Sequence, residues 1–197
     1  MNALEFVTAS RGATARFGAI PLHGTLNYAA LSANLDYDPV LLDEVRVKLE
    51  SLYVAAGYRR ETPEGFSAHL GTFSYFDGAM GAIHEDYKTW FAVSSLGPVV
   101  ELHAMLHEYA HVAYFNRLNY PDLNSSPLVF SGSVARKAVE VGAETVAYMV
   151  GSALDLMDVR FSQVYIDFWG CASFQQQRVC YEAAVVAHQT KRRLGLL

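Results

Sequence analysis

Apolar residues recur at helical spacing in several stretches, separated by one region that alternates like strands. In the first stretch Leu41, Leu42, Val45, Leu49, Leu52, Tyr53 and Ala56 share a face. Asp38 stands where a cap is needed, Pro39 holds the favoured first position and Gly57 can end the turn, which predicts a helix over 38–57. Arg59 to Gly65 then has the composition of a turn. Residues 66–93 predict a small antiparallel sheet of about three strands. Phe66, Ala68, Leu70, Thr72 and the aromatics through Phe76 suggest the first, and Ala82 to His84 and Thr89 to Val93 the others, with a turn at Asp77-Gly78. After a loop from Ser94 to Pro98, the pattern turns helical and strongly apolar from Val99 to about Asn116. Further helical patterns run from about Ser133 to Leu156, across Ser162 to Trp169, and from about Phe174 to Leu194. Residues 1–37 have weak periodicity and fit an N-terminal arm or short strands. Helix, then sheet, then several helices is an α+β order, and no repeat or linker divides it, so one domain over 1–197 is expected.

Composition narrows the function classes. The chain has 197 residues, 52% of them hydrophobic and 18% charged, enough for a real core and too apolar for disorder. Fifteen Lys and Arg against 20 Asp and Glu leave a net charge of -5, which argues against a general nucleic-acid partner. The basic clusters Lys191-Arg192-Arg193 and Arg59-Arg60 read as solvated surface charge. The most apolar run, Thr145 to Ala153, is about half the roughly 18 residues a membrane helix needs. The N-terminus lacks the uninterrupted apolar core of a signal peptide, so a cytoplasmic protein without a membrane partner is expected. Cys171 and Cys180 would stand about 13 Å apart along a continuous helix, too far for a disulfide, and read as free thiols.

The chemistry lies in the apolar central helix, at His107-Glu108-Tyr109-Ala110-His111. Residues four apart on a helix share a face, so two imidazoles can converge on one ion. Glu108, offset by about 100°, stands beside the ion, placed to take a proton from water. The flanks Leu102, Met105, Leu106, Val112 and Ala113 bury the motif, and buried histidines and a buried carboxylate need a partner. A zinc ion supplies one. A catalytic zinc site takes a third protein ligand and keeps one position open. Glu140 and Glu144, four apart in an otherwise apolar helix, are the candidates: one can ligate while the other orients a ligating histidine. His103 lies one turn before His107, about 6 Å along the axis, and is expected to support a ligand or face solvent. His69, His84 and His188 have no ligand spacing and read as structural or exposed.

His107-Glu108-x-x-His111 followed by Glu140, Ala143, Glu144 and Ala147 resembles the zincin-like metallopeptidases of phages and plasmids, the ImmA/IrrE group and the ArdC-type antirestriction proteins. Their second segment runs roughly E-x-x-A-[E/N]-x-x-A. Tyr165 to Trp169, with Ala183 and Ala184 in the next helix, is similar to the end of ArdC-type domains. Gly142 stands where those relatives often carry a third acid, and the stretch from His111 to Glu140, with its Pro121 to Pro127 loop, is longer than in compact relatives. The resemblance covers about residues 66–190. It implies a zincin-like fold with the small sheet packed on the active-site helix. It also implies one zinc per chain on His107, His111 and Glu140, Glu108 as general base, and Glu144 supporting a ligand or replacing Glu140.

The expected function is therefore that of a zinc metallopeptidase of the gluzincin type, cutting an intracellular protein, a regulator by analogy. Tyr109, Tyr114, Tyr120, Tyr148 and Tyr165 are candidates to stabilise the oxyanion. An edge strand near Trp90 to Val93 could align an extended substrate. The competing expectation is a non-proteolytic zincin-fold protein that binds DNA or a host regulator in antirestriction. The apolar end Leu194 to Leu197 fits either a core element or a dimer contact.

Overall fold

A computed structural model describes residues 37–65, 80–84, 87–118, 134–156, 162, 166 and 173–197. Among the described residues there are four long helices: α1 (Pro39–Ala55), α2 (Pro98–Leu118), α3 (Val134–Gly151) and α4 (Ser173–Leu194). Three short strands, β1 (Arg59–Arg60), β2 (Gly81–His84) and β3 (Thr89–Ala92), lie between α1 and α2. The architecture is α+β, mostly helical.

The helix ends follow local chemistry. The Asp38 side chain accepts from the backbone N–H groups of Val40 and Leu41 at 2.9 and 3.3 Å, satisfying donors the first turn leaves open. Beyond α1, Gly57 takes a φ of 85°, which a side chain would resist. Pro98 opens α2, and its first turn carries Glu101, an acid at the positive end of the helix. The third helical stretch, expected to run to Leu156, leaves α geometry at Gly151 for a 3-10 turn over Ser152–Leu154, and Asp155 closes it at φ 54°.

The sheet departs from the expected antiparallel arrangement. β3 is central: β1 pairs with it in parallel, Arg59 against Thr89, and β2 pairs antiparallel, with Gly81 against Ala92. The sheet is mixed because Arg59 and Arg60, expected in a turn, extend alongside β3 once α1 has ended. Arg59 N–H donates to the Lys88 carbonyl and Glu61 N–H to that of Trp90. Trp90 to Ala92 thus lie on an inner strand, not on the edge expected there, and among the described residues β2 is an edge. The expected strand over 66–76, the Asp77-Gly78 turn, the Pro121 to Pro127 loop, the arm of residues 1–36 and Cys171 lie outside the described residues. Of the element expected over Ser162 to Trp169, Ser162 and Ile166 are helical and buried.

The core forms around α2. Every residue from Val99 to Val112 is buried, as expected for a helix apolar on all sides. The sheet and α1 pack on it, α3 lies along it, and α4 packs on α3. Tyr53 of α1 ties the layers together. Its ring stacks on Trp90 at 4.1 Å, meets Tyr109 edge-on at 5.4 Å, and its hydroxyl donates to the Met105 carbonyl at 2.7 Å. Arg60 is not free surface charge. Its guanidinium pairs with Glu50 at 2.7 Å and with Glu101, and lies over the Trp90 ring at 5.2 Å. Among the described residues, no helix is long and apolar enough to cross a membrane.

Candidate metal centre

The α2 histidines and α3 carboxylates face each other as a ladder. Going up α2 the rungs are His103, His107 and His111; coming down α3 they are Glu140 and Glu144. All five are buried. Glu144 lies between His103 and His107, with Oε1 at 3.0 Å from His103 Nε2 and Oε2 at 2.8 Å from His107 Nδ1. Glu140 lies between His107 and His111, its Oε2 at 3.4 and 3.5 Å from their Nε2 atoms. The two Nε2 atoms are 3.2 Å apart, and the rings meet at 73°.

Those three distances decide what the upper rung can hold. Ligands at the 2.0–2.1 Å usual for zinc stand about 3.3–3.4 Å apart at the corners of a tetrahedron. His107 Nε2, His111 Nε2 and Glu140 Oε2, at 3.2, 3.4 and 3.5 Å, outline one face of such a tetrahedron. Among the described residues they form the one buried group that can hold a metal ion. The tautomer agrees. Glu144 is an acceptor, so His107 Nδ1–H donates to it, and the nitrogen that a metal would take by displacing a proton is Nε2, which faces the triangle.

The electrostatics also call for a cation. Burial disfavours protonated His107, yet Glu140, Glu144 and Glu108 hold its pKa well above the usual 6.5. Burial would raise both glutamates, but the imidazoles dominate. His111 and His107 draw Glu140 well below the carboxylate range, and His103 and His107 do the same for Glu144. Both carboxylates are thus anionic in a dry setting.

Of the expected site residues, His107, His111, Glu140 and Glu144 meet at this helix crossing, while Glu108, next to His107, lies under Gly81 of β2 and acts on His107 through its charge. Glu140 enters the triangle, whereas Glu144 holds the far side of His107. His103 is buried against Glu144, which removes the surface alternative for it. His84 packs against Tyr87, and His188 is exposed. Of the tyrosines weighed for an oxyanion, Tyr109 accepts at its hydroxyl oxygen from the Arg193 guanidinium at 2.9 Å. It also sits about 200° around α2 from His107. Tyr148, half-buried, shares the α3 face of Glu140 and Glu144. The side chains of Tyr114, Tyr120 and Tyr165 lie outside the described residues.

One contact had no sequence signal beyond a glycine-rich run. Gly81 on β2 lies directly over Glu108: a β-carbon there would be 3.2 Å from Glu108 Cγ, 3.3 Å from Ala104 Cβ and 3.1 Å from the Phe91 carbonyl. No protein-family model, no curated protein and no solved structure matches this chain.

Proposed function

We propose that this chain is a zinc-dependent metallopeptidase that hydrolyses a peptide bond in an intracellular regulatory protein, with kinship to the ImmA/IrrE and ArdC-type group. The observation that carries the reading is the triangle of His107 Nε2, His111 Nε2 and Glu140 Oε2, sized for a tetrahedral ion. The helix bearing two of its corners also carries Glu108 next to the first. In this reading His107, His111 and Glu140 hold zinc, which when bound supplies Lewis acidity toward a carbonyl and lowers the pKa of water toward neutrality.

The protein groups do the rest. Glu108 accepts the proton of the attacking water and passes it to the leaving amine. Its buried position beneath Gly81 keeps the carboxylate largely out of bulk water. Glu144 fixes the ring and tautomer of His107. With one carboxylate and two neutral imidazoles holding it, a divalent ion would keep a net positive charge and would supply polarisation to a substrate carbonyl.

Metal analysis of the purified protein is the direct test. About one zinc per chain is expected, and none in His107→Ala. Glu108→Gln should keep the zinc and lose cleavage of a diverse peptide mixture. A wild-type chain without stoichiometric metal overturns the reading. Zinc retained together with undiminished cleavage in Glu108→Gln removes Glu108 from its role. Zinc without cleavage in any variant would leave the non-proteolytic, interaction-only function.

A further inference from the structure

We propose that His103 is a positioning residue for the metal centre, acting through Glu144. This inference rests on the proposed metal site. A zinc centre of this kind needs two histidines, one carboxylate ligand and a base, and His103 is none of these. It is nevertheless 3% exposed, on the same α2 face one turn below His107. A buried imidazole in an apolar helix is costly unless it has work to do with a polar partner. Its Nε2 lies 3.0 Å from Glu144 Oε1, while the other oxygen of the same carboxylate takes His107 Nδ1 at 2.8 Å.

The consequence is geometric. A carboxylate held at one oxygen can rotate about its terminal torsion, which is broad and soft. Hydrogen-bonded to His107 at one oxygen and met by His103 at 3.0 Å at the other, a contact without hydrogen-bond geometry, Glu144 has its plane confined from both sides. That plane sets the direction of the hydrogen bond to His107, and so the orientation of the ring whose Nε2 faces Glu140 and His111. The lower half of the ladder thereby pre-forms the upper half, and zinc meets a site that needs little rearrangement. Partners that orient metal-bound histidines typically alter metal affinity 10–100-fold when removed. His103 acts one residue further away, so the lower end of that range applies.

The test separates positioning from packing by using two variants with opposite virtues. His103→Phe keeps the ring volume and removes the nitrogen. His103→Gln loses the ring but places an amide N–H at a reach similar to that of Nε2. Zinc affinity is read by competition with a chromophoric chelator, site geometry by the visible spectrum of the cobalt-substituted protein, and packing by the melting temperature of the metal-free chain. Positioning predicts zinc binding weakened about tenfold in His103→Phe with an altered cobalt spectrum, and restored to within about threefold in His103→Gln. Packing alone predicts the reverse order, because Phe suits an apolar core better than Gln. Adding His103→Phe to Glu144→Gln should cost little further affinity, since the path through Glu144 is already broken. If His103→Phe does not fold, His103→Leu takes its place. Wild-type zinc affinity in the ring-only variant overturns the inference while leaving the metal site intact. Absence of zinc binding in the wild type overturns the metal site itself, and this inference with it.

Discussion

Gly81 offers the sharpest test of how closely the sheet is built over Glu108, the proposed general base. An added methyl group at Gly81 would meet three atoms: the Phe91 carbonyl oxygen at 3.1 Å, Glu108 Cγ at 3.2 Å and Ala104 Cβ at 3.3 Å. Favourable carbon–carbon contact begins at about 3.5 Å, so the methyl would sit a few tenths of an ångström too close on every side. Two of these walls cannot turn away. The Phe91 oxygen belongs to the β3 backbone, and Ala104 has no side-chain torsion. Glu108 can move, by rotating its side chain, and otherwise β2 must lift from α2. Gly81 has no left-handed φ, so backbone strain does not enter and the effect of Gly81→Ala is steric.

Inserting a methylene-sized group into a packed site costs about 1–3 kcal/mol. For a chain of this size that lowers Tm by about 2–12 °C, taking about 2–4 °C per kcal/mol. The same crowding displaces Glu108. A shift of about 1 Å at a reacting group can cost about 100-fold in rate, so a few tenths should cost roughly tenfold. The proposed ligands His107, His111 and Glu140 are not among the crowded atoms, so zinc content should not change. Urea unfolding followed by tryptophan fluorescence measures the first effect, and peptide cleavage at equal zinc loading the second. An unchanged urea midpoint would refute the close approach of β2 to α2. A loss of zinc together with activity would show that the crowding reaches the ligands and that Glu108 is not its specific target.

Three further outcomes are expected. Zinc at 100 times its Kd should stabilise the wild type by about 2.7 kcal/mol, raising Tm by about 5–11 °C, and should do the same for Glu108→Gln but much less for Glu140→Gln; an equal shift in Glu140→Gln would exclude it as a ligand. Zinc binding should weaken as pH falls, because His107 must be deprotonated to bind and Glu140 and Glu144 raise its proton affinity. Loss should therefore begin above the ordinary imidazole pKa of 6.5, and retention of zinc unchanged well below it would contradict this ordering. Arg60→Ala should lower stability by about 1–2 kcal/mol, since Glu101, with its side chain only 11% exposed, loses its cation. Arg60 is itself 35% exposed, so solvent screens part of the pair, and thermal melts that are identical with and without the substitution would show the pair to be neutral.

Local signals carried the helices well. Asp38, Pro39 and Gly57 mark α1 to within about two residues, because capping and φ preference act over a single turn. The strands were harder. β1 has two residues, Arg59 and Arg60, too short to alternate and too polar to suggest a sheet. Their pairing comes from where α1 delivers the chain beside β3, and from the anchor that Arg60 finds on Glu50, Glu101 and Trp90. A parallel neighbour for β3 thus depends on tertiary placement, which periodicity within 59–65 does not encode. Gly81 is similar. Its smallness matters because of Glu108 and Ala104, more than twenty positions away in sequence.

The site shows where pairwise spacing stops and register begins. Within each helix, four-residue steps guarantee that His107 and His111, or Glu140 and Glu144, share a face. They do not say which carboxylate meets which histidine, since sliding α3 by one turn, about 6 Å, exchanges Glu140 for Glu144 in the triangle. His103 discriminates between the two registers. Three histidines on α2 leave two gaps, and an antiparallel α3 with two glutamates fills both. This is the arrangement found, Glu144 between His103 and His107 and Glu140 between His107 and His111. Slide α3 by a turn and Glu144 enters the upper gap, Glu140 moves beyond His111, and His103 faces Tyr148. That register takes the carboxylate from a buried imidazole, at a cost of about 1–3 kcal/mol. The histidine that zinc chemistry leaves over is thus the residue that tells Glu140 from Glu144.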